Sequence, residues 1–148
     1  MVWKPHVTVA SVVEQGGKFL LVEENSSDGL VFNQPAGHLE PGESLLQAVV
    51  RETLEETAYH FRPEWLLGVY RWRHPRKDIT YLRFAFTGSI SGHESERKLD
   101  TGIVRAAWLT LDEIRELAQR HRSPLVLDCI EDYRAGKRYP LDLLTHYD

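Results

Sequence analysis

The chain has 148 residues, the size of one ordinary domain and long enough to bury a core without disulfides or a structural metal. Its 22 acidic and 18 basic residues leave a net charge of −4, which argues against general affinity for nucleic acid or an anionic membrane. The single cysteine, Cys129, excludes a disulfide framework and suits a reducing cytoplasm.

No internal repeat, low-complexity tract or long linker divides the chain, so we expect one domain over residues 1–148. The first apolar run, VTVASVV, is too short for a signal peptide or a membrane span. We therefore expect a soluble cytoplasmic protein with no membrane or nucleic-acid partner, as a monomer or a weak homodimer.

Strands are predicted first along the chain. HVTVASVV and KFLLVEE are apolar or β-branched runs joined at Gly16-Gly17, the pattern of a hairpin. SSDGLVFNQPAG then predicts a turn, a short strand and a loop. After the helix described next, WLLGVYRWR and ITYLRFAFTGSI predict two long strands, and a further strand ends at VRAAWLT.

Three helices are predicted. Ser44 followed by Gln47 is a capping box, which predicts a helix that begins at Leu45. Thr110 or Asp112 can cap LDEIRELAQRH, and Ser123-Pro124 opens a last helix that stops at Gly136. Strands mixed with helices predict a layered α/β sandwich. In the first helix, one arc forms the predicted buried stripe: Leu46, Val49, Val50, Thr53 and Leu54.

The same helix crowds three acids on a neighbouring arc. Glu52, Glu55 and Glu56 are three or four residues apart or adjacent, and each like-charge pair at helical spacing costs about 0.2–0.5 kcal/mol. Arg51, four residues before Glu55, relieves only part of this repulsion. The pattern predicts a missing cation, and a hard divalent ion such as Mg²⁺ accepts carboxylate oxygens while keeping waters for a phosphate-bearing substrate.

The spacing of this segment is specific. Gly37 is followed after five residues by Glu43, then after seven by Arg51-Glu52, and after two more by Glu55-Glu56. This constellation resembles the signature of the Nudix hydrolases. Two positions depart from it: Thr53 stands at an aliphatic site and Ala58 replaces the glycine that ends the helix.

The resemblance implies a Nudix-type α/β/α sandwich with a mixed central sheet. It also implies that Mg²⁺, with Mn²⁺ as a substitute, is bound by Glu52, Glu55, Glu56 and the backbone carbonyl of Gly37. Glu43 is expected to pair with Arg51 in support of these ligands. The residues assigned to catalysis are therefore Glu43, Arg51, Glu52, Glu55 and Glu56.

A further glutamate of the family pattern is absent. The position six residues before Trp108 is Gly102 here, so the identity of the general base stays open. The nearest candidates for that role are Glu94, Glu96 and Asp100.

Flanking segments are similar to the NudJ group of bacterial phosphatases: KPHVTVA, FNQPAGHLE, YLRFAF, RSPLV and RYPL. This likeness implies hydrolysis of nucleoside di- or triphosphates, or of related organic pyrophosphates such as the thiamine pyrimidine pyrophosphate, with release of inorganic phosphate. One alternative is a nucleotide or nucleotide-sugar pyrophosphohydrolase that releases a nucleoside monophosphate. Another is a Nudix-fold ligand sensor without catalysis.

Substrate contacts are predicted from residue type. Arg83 interrupts an apolar strand, and a buried arginine needs an anionic partner. We therefore expect Arg83 to bind a phosphate of the substrate, and we favour the terminal phosphate. A basic turn between two strands is an alternative phosphate holder or a solvated edge, and its residues are Arg71, Arg73, Arg76 and Lys77. Four aromatic residues are candidates for stacking on a planar ring or for packing across a sheet: Phe32, Tyr70, Trp72 and Tyr81. The substrate-binding candidates are Phe32, Trp72, Arg83 and Asp100.

Overall fold

A computed structural model describes residues 2–148. No helix in this range has the length and apolar character to cross a membrane. Two 3₁₀ turns, Ala118–Arg120 and Leu141–Leu143, accompany the main elements. In chain order the main elements are β1 (His6–Val12), β2 (Glu14–Gln15), β3 (Lys18–Ser26), β4 (Gly29–Asn33), β5 (Ala36–His38), α1 (Leu45–Thr57), β6 (Tyr59–Arg73), β7 (Thr80–His93), β8 (Ile103–Thr110), α2 (Leu111–Glu116) and α3 (Leu125–Arg134).

These strands form two sheets. The first has the order β5-β1-β7-β6 and is mixed, because β1 runs parallel to β7 while the other pairs are antiparallel. In the second, β3 pairs antiparallel with β2, β4 and β8. Helices α1 and α3 both pack against the mixed sheet, and each contributes to a separate apolar cluster. The α/β sandwich with a mixed sheet predicted from the sequence is confirmed.

The predicted N-terminal hairpin is wrong in its first strand. Both edges of β1 are occupied, by β5 and β7, so β1 cannot pair with β3. The chain instead leaves the first sheet at Val12, and the short strand β2 makes the hairpin with β3 across Gly16 and Gly17. Val12 and Val13 are both buried but belong to different apolar clusters, which shows the chain passing between the sheets.

Strands β6 and β7 are longer than predicted. Tyr59–Arg73 begins directly after α1, and pairing with β7 continues through three irregularities, one of them at Pro63. Proline and bulges obscure strand periodicity, which is why the first part of β6 did not show in the sequence.

Helix ends follow the predicted caps closely. Ser44 and Gln47 form the expected capping box, and α1 begins at Leu45. Thr110, rather than Asp112, caps α2, which ends at Glu116 and continues as a 3₁₀ turn. The Ser123 hydroxyl accepts a hydrogen bond from the Leu125 N–H at 3.1 Å as α3 begins.

The buried side of α1 differs from the predicted stripe. Val49 and Thr53 are fully buried as expected, whereas Leu46, Val50 and Leu54 are only partly buried. Ala48, Glu56 and Thr57 are buried in addition. The carboxylate arc therefore borders the buried face of the helix instead of facing solvent. At its C-terminus, Ala58 adopts a left-handed conformation with φ 63°.

Candidate active site

Arg51 is the centre of the acidic cluster. Its Nε and Nη2 atoms donate to the two oxygens of Glu43 at 3.0 and 2.6 Å, which is the pairing expected from the sequence. Its Nη1 atom donates to Glu52 at 2.7 Å and to Glu55 at 2.8 Å. The hydrogen bond from Arg51 lowers the pKa of Glu43. Arg51 therefore offsets more of the repulsion than its spacing alone predicted, and it ties α1 to the preceding loop.

Three carboxylates converge beside Arg51. Oxygen atoms of Glu52, Glu55 and Asp100 lie within 4.8 Å of one another. The Asp100 N–H donates to the Glu55 carbonyl oxygen at 3.0 Å, which holds the segment before β8 against the helix. Asp100 is thus the one of the three candidates for the further carboxylate that the fold brings to this cluster. Glu94 pairs with His60 and Arg97, and Glu96 is exposed.

Gly37 provides the space for Glu52. It lies in β5 opposite Val9, and a Cβ built on it would overlap the carboxylate of Glu52. Its φ is not in the left-handed region, so the requirement for glycine is steric and not conformational.

Glu56 lies apart from this trio, against the free edge of the sheet. Its Oε1 atom accepts the Ala36 N–H at 2.9 Å, and β5, which contains Ala36, is the edge strand. Burial raises the pKa of Glu56 to about 9, and the negative charges of Glu24, Glu52 and Asp100 add to this effect. Burial also raises the pKa values of Glu52 and Asp100.

The cluster fits a divalent cation. Its donors are hard carboxylate oxygens, close enough to share one ion, and their charge exceeds that of the single arginine among them. The raised pKa values of Glu52, Asp100 and the neighbouring Glu56 mean that ionising these three carboxyls is costly without a cation nearby. A cation would remove that cost.

A cavity of about 460 Å³ opens beside the carboxylates. One end is lined by Gly37, Glu52 and Glu56, and the other by Trp72, His74 and Lys77. Its size is typical of small-molecule sites.

Arg83 lines this cavity and is only 5% exposed. Its guanidinium donates to Gln34 Oε1 and to Asn33 Oδ1, both at 2.9 Å. Gln34 is oriented in turn, because its Nε2 donates to the Val126 carbonyl at 2.7 Å. Within residues 2–148, Arg83 makes no ion pair with a carboxylate. Its direct partners are the two amides and, at 3.7 Å, the Cys129 sulfur, and the charge of Glu24 acts on it without a hydrogen bond.

The aromatic candidates differ in whether they line the cavity. Trp72 lines the cavity and stacks on Tyr81, with ring centroids 5.9 Å apart and planes 18° apart. Phe32 is 1% exposed, belongs to the core and carries Arg120 over its ring at 4.7 Å. Phe32 is not among the residues that line the cavity, and the guanidinium groups of Arg105 and Arg120 lie near its ring, so the structure does not support a stacking role for it. Tyr70 lies outside the cavity lining and donates its hydroxyl to Asp132 at 2.6 Å.

The basic turn is held by a neighbouring turn. Arg76 pairs with Asp28 at 3.0 Å, and Lys77 Nζ contacts the Ser27 hydroxyl at 2.9 Å. Lys77 lines the cavity, whereas Arg71 and Arg73 point to solvent.

Sequence reasoning missed an ion pair at the cavity wall. Glu24 pairs with Arg122, and both line the cavity. Burial raises the pKa of Glu24, against the opposing charge of Arg122. The available signal was the pair of acids that ends the apolar run KFLLVEE, since a buried acid at the end of a strand requires a partner.

Comparisons with known proteins agree with this geometry. A family model described as NUDIX domain matches residues 3–128. Phosphatase NudJ of Escherichia coli strain K12 is 40% identical over 146 residues, which cover 99% of this chain and 94% of that protein. A solved NUDIX hydrolase from Nitrosomonas europaea is 59% identical, with a TM-score of 0.95, and the match covers 97% of this chain and 98% of that chain. The NUDIX domain of Shewanella oneidensis NrtR, solved with ADP ribose, is 19% identical with a TM-score of 0.72 over 91% of this chain and 90% of that chain, a likeness of fold alone.

Proposed function

The chain belongs to the Nudix hydrolase family and acts on phosphoric anhydride bonds, and from this premise we propose that it releases inorganic phosphate from small organic di- and triphosphates. The proposed substrates are nucleoside di- and triphosphates or related organic pyrophosphates, such as the thiamine pyrimidine pyrophosphate. The observation that carries the proposal is that Glu52 of the acidic cluster lines the same cavity as Glu56 and the buried Arg83. The 40% identity to Phosphatase NudJ supports phosphate as the product.

We propose Mg²⁺ as the cofactor, with Mn²⁺ as a substitute, because Nudix hydrolases generally use divalent metals. The proposed ligands are Glu52, Glu55, Glu56 and the carbonyl oxygen of Gly37, and the position of Asp100 adds it to this set. When bound, the cation neutralises phosphate oxygens and makes a water molecule a stronger nucleophile near neutral pH.

The side chains around these ligands set their geometry. Arg51 holds Glu52 and Glu55 through one nitrogen, and Glu43 holds Arg51 through two hydrogen bonds. We therefore assign Arg51 and Glu43 as positioning residues, which keep the carboxylates in place before substrate arrives.

Two alternatives remain in view. A nucleotide or nucleotide-sugar pyrophosphohydrolase would attack an inner phosphorus and release a nucleoside monophosphate. A non-catalytic ligand sensor would bind a nucleotide without turnover. The presence of Glu52, Glu55 and Glu56 argues against the sensor, because binding alone does not require an array that can hold a catalytic cation.

Further predictions concern the number of domains, the cellular location, the oligomeric state and the partners of the protein. We propose one catalytic domain over residues 1–148, in the cytoplasm, as a monomer or weak homodimer without nucleic-acid or membrane partners. These proposals rest on the length of the chain, its net charge and its single cysteine.

The function is tested by hydrolysis in ¹⁸O-labelled water. Nucleotides and coenzyme pyrophosphates are screened with and without Mg²⁺, and the first products of an active triphosphate are identified. We expect Mg²⁺-dependent turnover with label in inorganic phosphate. Label first in pyrophosphate or in a nucleoside monophosphate would support the pyrophosphohydrolase, and nucleotide binding without turnover at any metal concentration would support the sensor.

A further inference from the structure

The strand register of the mixed sheet shows where Arg83 lies relative to the two edges of the cavity. Thr8 pairs with His38 on one side and with Arg83 on the other, and Arg83 pairs with Tyr70. These residues therefore form one row across β5, β1, β7 and β6. Neighbouring strands are about 4.8 Å apart, which places the backbone of Arg83 about 10 Å from β5 and that of Tyr70 about 14 Å from it.

The two ends of this row differ in chemistry. At the β5 edge, Glu56 accepts the Ala36 N–H. Glu52 lies over Gly37 on the opposite face of the sheet from Arg83, so the carboxylates reach the cavity around this edge. Toward the β6 edge, Trp72 pairs in register with Tyr81 and stacks on its ring. The cavity reaches both ends, so a ligand that fills it passes from carboxylates to aromatic rings across the strand that contains Arg83.

Arg83 has the charge and the free N–H donors to bind an anion. Its hydrogen bonds go to Gln34, Asn33 and, at 3.7 Å, the Cys129 sulfur, all of which are neutral acceptors. A guanidinium has more N–H donors than these contacts use. Burying a charge against neutral groups is costly unless an opposite charge joins it, and the planar fork of arginine matches phosphate oxygens.

The other cations at the cavity wall are either paired with an acid or exposed to solvent. Arg122 pairs with Glu24, and Lys77 contacts Ser27 at the aromatic end. Arg83 is therefore the buried cation between the two ends that makes no direct ion pair within residues 2–148, and the nearby charge of Glu24 is already paired with Arg122.

We propose that Arg83 binds the inner phosphate of the substrate, the one that stays on the organic product, and not the terminal phosphate expected from the sequence. The terminal phosphate then lies at the carboxylates and the ring lies at Trp72 and Tyr81. This inference rests on the proposed function, because it specifies which phosphorus faces the carboxylates.

The arrangement determines the bond that breaks. Water oxygen bonds to the terminal phosphorus, and the bond from that phosphorus to the bridging oxygen breaks. The bridging oxygen keeps the electron pair and stays on the inner phosphate, so the products are inorganic phosphate, the shortened organic phosphate and a proton. Arg83 stabilises the negative charge that develops on the inner phosphate as the bond breaks.

The test uses binding without metal or turnover. Uridine 5′-monophosphate and uridine are titrated calorimetrically into metal-free wild-type protein, Arg83→Met, Arg83→Gln and, as a control, Arg71→Met. Arg71 is an exposed arginine of β6 whose register partner is Leu82, so it projects from the opposite face of the sheet. We expect the wild type and the control to bind the monophosphate more tightly than uridine. Both Arg83 variants should bind the monophosphate at least about tenfold more weakly, the lower range for a charged hydrogen bond, with uridine unchanged.

Two results would overturn the inference: unchanged monophosphate affinity in a folded Arg83 variant, or no preference for the monophosphate over uridine in the wild type. Thermal melts establish that the variants are folded, and Arg83→Gln, which keeps polar groups near Asn33 and Gln34, serves if Arg83→Met does not fold. Failure of the hydrolysis screen with Arg83-dependent binding would reject the proposed function alone. Hydrolysis with Arg83-independent binding would reject this inference alone.

Discussion

The carboxylate of Glu52 occupies the space that a side chain at residue 37 would fill. Glu52 is on α1 and Gly37 is on the edge strand β5, fifteen positions earlier in the chain. The glycine at the start of the signature is therefore coupled to its central acid by packing, since only a residue without a Cβ lets the carboxylate lie against the backbone of β5.

Gly37→Ala should lower kcat by about 10²-fold, because the new methyl group forces Glu52 out of the cluster, and displacements of about 1 Å at a catalytic centre have effects of this size. Gly92→Ala is the control, since its Cβ would make an ordinary 3.6 Å contact with His60. Steady-state kinetics at saturating Mg²⁺ makes the comparison. Equal losses in both variants would contradict the steric role of Gly37.

Glu55→Gln and Glu56→Gln should each lower kcat by orders of magnitude, because each removes a proposed metal ligand. Neither variant should be less heat-stable than the wild type without metal. Glu55→Gln loses a carboxylate from a like-charged cluster, and Glu56→Gln replaces a buried carboxyl that is costly to ionise with a neutral amide that can still accept the Ala36 N–H. Activity at saturating Mg²⁺ and melting curves with a chelator check both parts. Near-normal turnover in both variants would refute the assignment.

Asp100→Asn should weaken the binding of Mg²⁺, so that a higher Mg²⁺ concentration is needed for half-maximal rate, and should lower kcat. Glu94→Gln should change neither quantity. The reason is that Asp100 joins Glu52 and Glu55 in one cluster, while Glu94 pairs with His60 at 2.6 Å. The measurement is the Mg²⁺ concentration for half-maximal rate in the two variants. A larger shift for Glu94→Gln would assign the further carboxylate to Glu94.

Glu56 should contribute a loss of stability to the metal-free protein as the pH rises. The loss falls between 4.5, the ordinary pKa of a glutamate, and about 9, the raised pKa of Glu56 in the folded chain. In that window the unfolded chain releases the Glu56 proton while the folded chain keeps it, so deprotonation favours unfolding. Glu56→Gln lacks this component, and its melting temperature relative to wild type should rise from pH 5 to pH 9. A constant difference across this range would show that Glu56 titrates normally.

Ala58→Gly should raise the free energy of unfolding by up to about 1 kcal/mol, because Ala58 has a left-handed φ of 63° that glycine adopts without strain. Ala48→Gly, within α1, should instead lower stability by about 1 kcal/mol. Denaturant unfolding of both variants measures the difference, with little expected change in rate for Ala58→Gly. A loss of stability in Ala58→Gly would mean that the strain is absent.

Much of the local structure followed from local sequence. The caps at Ser44 and Thr110 depend on side chains within three residues of the backbone groups they satisfy, so short patterns were sufficient to predict them. The pairing of Glu43 with Arg51 was predictable for a similar reason, because Glu43 directly precedes the capped helix and can point back across it to Arg51. The partner strand of β1 was not predictable locally, because apolar alternation indicates a strand without indicating its neighbours.

The sequence by itself determined the family, the helix that carries the acids and the residue types of the cluster, because spacing along one helix is a local property. Only the tertiary structure decided that Asp100 joins this cluster while Glu94 and Glu96 do not, that the ring of Phe32 is enclosed in the core, and that Arg83 lies between the carboxylates and Trp72. Each of these depends on which strands become neighbours and in what register. Strand pairing joins residues far apart in the chain, and its geometry is set by the packing of two sheets around shared cores, which no local pattern encodes.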